Sequence, residues 1–151
     1  MSNRQAITEA FTEITKQVLD GTADPYNIYG NVFPKNLLTK DIVSFPCITY
    51  SPGPEKFQYL PSGLRWNYLT MYSRVYVKGV EEPQQELEVL IQKIKNIIDS
   101  NTNMPYYVGN TLMHITDCTL DEISTDEGLL APDGIAEIVF VVRYSEDARL
   151  V

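Results

Sequence analysis

Histidine is nearly missing from this sequence, and cysteine and basic residues are scarce. Of 151 residues, one is histidine (His114), two are cysteines (Cys47 and Cys118), and 12 are Lys or Arg against 20 Asp or Glu. Each shortage excludes something. One histidine cannot build a zinc site unaided, and as a general base it would need an activated nucleophile that no motif presents. Two distant cysteines, each in an apolar stretch, make neither a disulfide framework nor a metal knuckle. They read as buried thiols of a reducing, cytoplasmic-type compartment. A formal charge of −8 repels phosphate backbones and argues against tight nucleic-acid binding, although DNA can still slide past an acidic wall. Missing too are any run of about 18 apolar residues that would span a bilayer and any charged-then-apolar N-terminal leader. Gly-rich phosphate loops and Gly-x-Ser-x-Gly are absent. Catalytic, cofactor-binding and metal-binding residues are therefore expected to be none.

What is present is ordinary globular composition, with 44% hydrophobic and 21% charged residues. A chain of this length buries about 70% of its unfolded surface and needs no staples. Residues 3–20 read as an amphipathic helix through Ile7, Phe11, Ile14 and Val18, capped by Ser2 or Asn3 and stopped at Gly21. Residues 83–99 read as a second helix through Leu87, Leu90, Ile91, Ile94, Ile97 and Ile98, with Pro83 in the first turn. Residues 64–78 alternate over a long strand. Leu69, Met71, Val75 and Val77 point one way, and Trp66, Tyr68, Tyr72, Arg74, Tyr76 and Lys78 the other. Shorter strands are expected at 46–51 and 55–60, separated by a Pro52-Gly53-Pro54 turn, and at 111–118 and 135–145, paired antiparallel.

Two stretches remain between these elements. Residues 21–45 form a long connection whose interleaved Tyr26, Tyr29, Phe33, Leu37 and Leu38 argue for an arm that packs on something, such as a neighbouring subunit. Residues 119–134 read as an acidic hairpin loop carrying Asp121, Glu122, Asp126 and Glu127, without the spacing of an EF-hand. The expected architecture is a single α+β domain over residues 1–151. A mostly antiparallel or mixed sheet of about 4–5 strands carries both helices on one face. The other face, bearing Trp66, Tyr68, Tyr72, Arg74, Tyr76 and Lys78, is left open. Tyr, Trp and Arg are enriched at interface hot spots, so this face is the candidate subunit interface. Stacking of single-stranded nucleic acid and a small ligand pocket on the same face are the competing uses.

The amphipathic first helix, the segment Phe45-Pro46-Cys47-Ile48-Thr49-Tyr50, the long strand 64–78, the helix 86–99 and the closing strand from Gly134 to Tyr144 together resemble the tail-terminator, or tail-completion, proteins of long-tailed bacteriophages. The resemblance lies in length and element order over most of the chain. It implies a homo-oligomeric ring, a hexamer, that caps the tail tube in the virion neck and presents a surface to the head connector. The implied partners are further copies of the chain, the tail tube protein and the head–tail connector protein, after assembly in the host cytoplasm. DNA would pass through without specific binding, and no membrane is involved. In that picture the acidic loop faces the lumen or the tube end. The arm at 21–45 has no assigned place in the family. A different neck or baseplate joint protein is the neighbouring alternative.

Overall fold

The computed structural model describes residues 2–21 and 28–147. The first helix, α1, runs Asn3–Val18 and opens with a reciprocal cap. The Gln5 N–H donates to the Ser2 hydroxyl, and the Ser2 N–H donates to the Gln5 side chain. Its buried face is Ala6, Ile7 and Phe11 together with Thr8, Thr12 and Thr15. Each threonine hydroxyl donates to the carbonyl four residues back, which satisfies it and lets it face the core. Because threonines share the buried stripe, the face is rotated from the expected one. Ile14 is only half buried, and Val18 is 43% exposed.

A two-residue strand β1 (Val32–Phe33) leads through an irregular segment to β2 (Cys47–Tyr59). After β3 (Leu64–Val77) comes α2 (Pro83–Ser100), then β4 (Pro105–Val108), β5 (Thr111–His114), β6 (Asp117–Thr125) and β7 (Gly134–Asp147). The main sheet has the order β1-β2-β3-β7-β6; only β1 and β2 run parallel. β4 and β5 form a separate small hairpin. α2 has the expected stripe, and Leu87, Leu90, Ile91, Ile94, Ile97 and Ile98 are all buried. Burying a side chain of this size contributes about 1.5–3 kcal/mol, so this stripe alone anchors the helix to the sheet.

Both helices cover one face of the sheet. That face carries Ile48 and Tyr50 from β2 and Leu69, Met71, Val75 and Val77 from β3. β7 adds Ala136, Ile138, Phe140 and Val142, and all ten are buried. At its centre the rings of Phe11 and Phe140 meet edge to face at 5.1 Å, with Tyr50 against both. The Tyr50 hydroxyl lies 2.7 Å from the Thr15 hydroxyl, which ties α1 to β2.

Three expectations need correcting. Pro52-Gly53-Pro54 is not a turn between two short strands, because β2 passes through it as one strand with a bulge between Pro52 and Glu55. β1 covers only Ile48 and Thr49, so the prolines lie on a sheet edge where no partner needs their missing N–H. Gly53 leaves room for a neighbouring ring. A Cβ there would come within 2.4 Å of the Tyr72 ring, which packs over the bulge. Next, the strand expected at 111–118 is broken, with β5 ending at His114 and β6 starting at Asp117. Last, much of the expected acidic loop is strand. β6 continues to Thr125, and only 126–133 connects it to β7.

The long connection also resolves in part. Residues 22–27 of the expected arm lie outside the described residues. Beyond them, Phe33, Leu37, Ile42 and Phe45 pack on Cys47, Tyr76 and Ile135. This second small core lies on the sheet face away from the helices. The arm therefore covers one end of the chain's own open face.

Candidate assembly interface

The face away from the helices is built by the period of two in β3 and β7, flanked by β2 and β6. Trp66, Tyr68 and Tyr72 lie along it and are half buried by neighbouring strands. The Arg143 guanidinium stacks over the Trp66 ring at 4.4 Å, and its Nε donates to the Thr116 hydroxyl at 3.0 Å. Arg74 stacks over Tyr72 at 5.2 Å. Its Nε and Nη2 both reach Glu137 Oε2, at 2.8 and 2.7 Å, and its Nη1 donates to Asn36 Oδ1. Both arginines are thus laid over aromatic rings as a surface that another protein can press on, and the charge of Arg74 is already paired with Glu137.

The six expected residues divide at this point. Trp66, Tyr68, Tyr72 and Arg74 share one face of β3, with Thr70 between Tyr68 and Tyr72. Tyr76 is 6% exposed beneath the 33–45 segment, so a partner cannot reach it in this conformation. Lys78 is exposed at the end of the strip, its ammonium 5.6 Å from the Phe45 ring.

The acidic quartet divides likewise. Asp121 and Glu122 are exposed on β6, at a bulge between Leu120 and Glu122. Asp126 and Glu127 belong to the following loop. Asp126 staples that loop. Its carboxylate accepts from the Ile135 and Leu130 N–H groups and from the Gln84 amide, each at 3.0 Å. Burial pushes this carboxyl upward, but the three donors outweigh burial and hold it below the ordinary carboxylate value. Glu127 takes a positive φ of 56° in the same turn, and Leu129 at its tip is 86% exposed.

A further cluster, which alternation along single strands does not reveal, lies at the free end of the β2–β3 hairpin on the helix side. Tyr144 OH donates to Glu55 Oε2 at 2.5 Å, and Arg4 reaches Glu55 Oε1 at 3.3 Å and the Gly53 carbonyl at 2.8 Å. Arg65 pairs with Glu146 at 2.9 Å, beside Asn67. The Arg65 guanidinium lies 4.8 and 5.6 Å from the Phe57 and Tyr59 rings, which are 51% and 67% exposed. The signal for this cluster is the pairing register of β2, β3 and β7, which only the sheet order supplies.

His114 is exposed on β5, away from these groups. Burial pushes the Cys47 thiol up to about 11 and the Cys118 thiol up to about 12, which leaves both protonated and unreactive. Among the described residues no three His, Cys, Asp or Glu side chains are disposed to share a metal ion, and no helix is long and apolar enough to cross a membrane. The arrangement offers contact surface: an aromatic strip, an ordered apolar loop tip and a hairpin with exposed rings.

Comparison with known proteins agrees with that character. A family model described as Bacteriophage Tail Tube Terminator Protein matches residues 1–151. The tail tube terminator protein p142 of Escherichia phage T5 is 39% identical over 157 residues, which covers 99% of this chain and 98% of that protein. A chain in the virion of a native gene transfer agent particle has the same fold, with a TM-score of 0.61 at 11% identity over 93% of this chain and 96% of that one. The fold likeness carries no more than the fold, but the full-length match and the close relative do. The chain belongs to the bacteriophage tail tube terminator protein family, a structural component of the phage tail.

Proposed function

We propose that this chain works as a ring-forming structural subunit, a hexamer, that closes the end of the tail tube and meets the head connector, and that it carries out no catalysis. The observation that carries this reading is the strip Trp66, Tyr68, Tyr72 and Arg74 on a sheet face that the chain's own helices leave uncovered. A chain with this much interface-type surface and a full-length family match is built to be packed against others. The exposed acidic groups Asp121, Glu122 and Glu127 fit a position near the lumen or tube end, where negative charge lets DNA pass without adhering.

The test is the mass of the purified protein by light scattering, negative-stain imaging, and binding to purified tail tube protein. A closed ring, alone or on the tube end, is the expected result. Trp66→Glu and Tyr68→Glu are expected to keep the wild-type circular dichroism and to weaken assembly. A lost aromatic anchor of about 2 kcal/mol corresponds to roughly thirtyfold. A protein that stays monomeric both alone and with tube protein would sink the ring reading. Variants that assemble like wild type would remove the aromatic strip from the contact.

A further inference from the structure

The main sheet ends in two edges that no strand covers among the described residues. β6 is the last strand on one side. On the other, β1 pairs only with Ile48 and Thr49, so β2 is bare from its bulge to its tip. Bare edges are ordinarily blunted by proline, lysine and bulges. Pro52, Pro54 and the β2 bulge do that for the first part of the strand. Lys56 is the one such residue in Glu55–Tyr59 beyond it, where Phe57 and Tyr59 stand exposed on a regular ladder.

We infer that, given the ring reading above, each subunit joins the next by antiparallel pairing of its β6 edge with the β2 edge of the following copy. Three features of the chain fit together to say so. The first is direction. β2, β3, β7 and β6 alternate, and four alternating strands leave β6 antiparallel to β2. A second copy turned about a ring axis, with no inversion, then offers β2 in the antiparallel sense. The contact is head to tail, which is the kind that closes rings.

The second is register. The regular parts of the two edges are Glu55–Tyr59, after the β2 bulge, and Glu122–Thr125, after the β6 bulge. Phe57 faces the helix layer, as its partner Asn67 does, and Ile123 faces it with Ile138. Setting Phe57 opposite Ile123 keeps the two apolar faces on one side. Ile123 is itself 37% exposed in the single chain. Gln58 then falls opposite Glu122, and Lys56 lies diagonal to Glu122.

The third is charge. Lys56 and Glu122 are both exposed, and neither forms an ion pair within the described chain. The seam joins them on the face that carries Trp66 and Tyr68. It is thus apolar on one side and charge-matched on the other.

The experiment compares Lys56→Glu, Glu122→Lys and the double exchange in low salt, beside wild type alone and wild type with tube protein. Each single exchange places like charges across the seam and should raise the concentration for half-assembly about fivefold. The double exchange restores opposite charges and should restore assembly. In parallel, Gln58→Cys combined with Glu122→Cys should oxidise to a covalent ladder that ends at the ring number, since Cys47 and Cys118 are buried. A wild-type ring combined with the absence of either the rescue or the ladder overturns the seam and leaves the ring standing. A wild type that makes no ring in either setting overturns both.

Discussion

Tyr50 and Thr15 allow a sharp test of how α1 is held to the sheet. Both are fully buried, and their hydroxyls lie 2.7 Å apart. Thr15 donates its proton to the Phe11 carbonyl at 2.8 Å, so Tyr50 must donate to Thr15. The two deletions are therefore unequal. Tyr50→Phe removes the donor and leaves Thr15 with its own bond intact, at a cost of about 1 kcal/mol. Thr15→Val removes the acceptor at 2.7 Å from a fully buried hydroxyl, at a cost of about 1–3 kcal/mol. In the double variant no donor is stranded. Its cost should fall below the sum of the singles by about 1 kcal/mol, and at or below Thr15→Val alone. Urea unfolding followed by circular dichroism, at one protein concentration and with the slope checked for constancy, measures all four states. Strict additivity of the two substitutions would refute the assignment of donor and acceptor. Burial has a second signature at the same group, since it pushes the Tyr50 hydroxyl up to about 12.

Two further outcomes follow from packing and burial. A Cβ on Gly134 would sit 2.9 Å from Leu87 Cδ1 and 3.1 Å from Val77 Cγ2, both buried side chains without room to retreat. Gly134→Ala should cost about 1–3 kcal/mol and lower Tm by about 2–4 °C for each of them, as read by calorimetry. Alkali should unfold the protein through its buried acids. Cys47 is pushed up to about 11, and Tyr50, Tyr106 and Cys118 to about 12, by burial. The folded state binds these protons more tightly than the unfolded one. The stability they confer is thus complete below the ordinary thiol value of 9.0 and lost as pH rises to about 12. A circular dichroism titration that stays flat through that window would contradict the burial.

The parts of the fold legible in the sequence were those where one period runs unbroken. α2 shows its stripe because every residue on its buried side is apolar, and β3 shows its two faces because Leu69, Met71, Val75 and Val77 alternate with Trp66, Tyr68, Tyr72 and Tyr76, although Asn67 and Ser73 share the buried face. β2 was hidden by Pro52-Gly53-Pro54, whose turn chemistry is real in isolation and is overridden by pairing with β3 on one side and an empty edge on the other. β6 was hidden because an edge strand need not alternate cleanly, and its Asp121, Glu122 and Ser124 look like loop. The aromatic face of β3 is visible residue by residue, but the fate of Tyr76 is not. It depends on Ile42 and Phe45 folding back across the sheet, a contact between segments that carries no local pattern.

The position of β7 has a bearing on how the protein is made. This strand follows every other described element in the chain, yet it lies between β3 and β6, where Leu64 pairs with Asp147 and Cys118 with Val142. During synthesis the β2–β3 hairpin and α2 emerge early, but β6 has no strand to pair with until β7 arrives. Pairings so distant in sequence form late. A nascent or broken chain therefore lacks a fixed β6 edge, on which the proposed seam depends. Under that proposal the arrival of β7 is the step that makes the edge fit to pair.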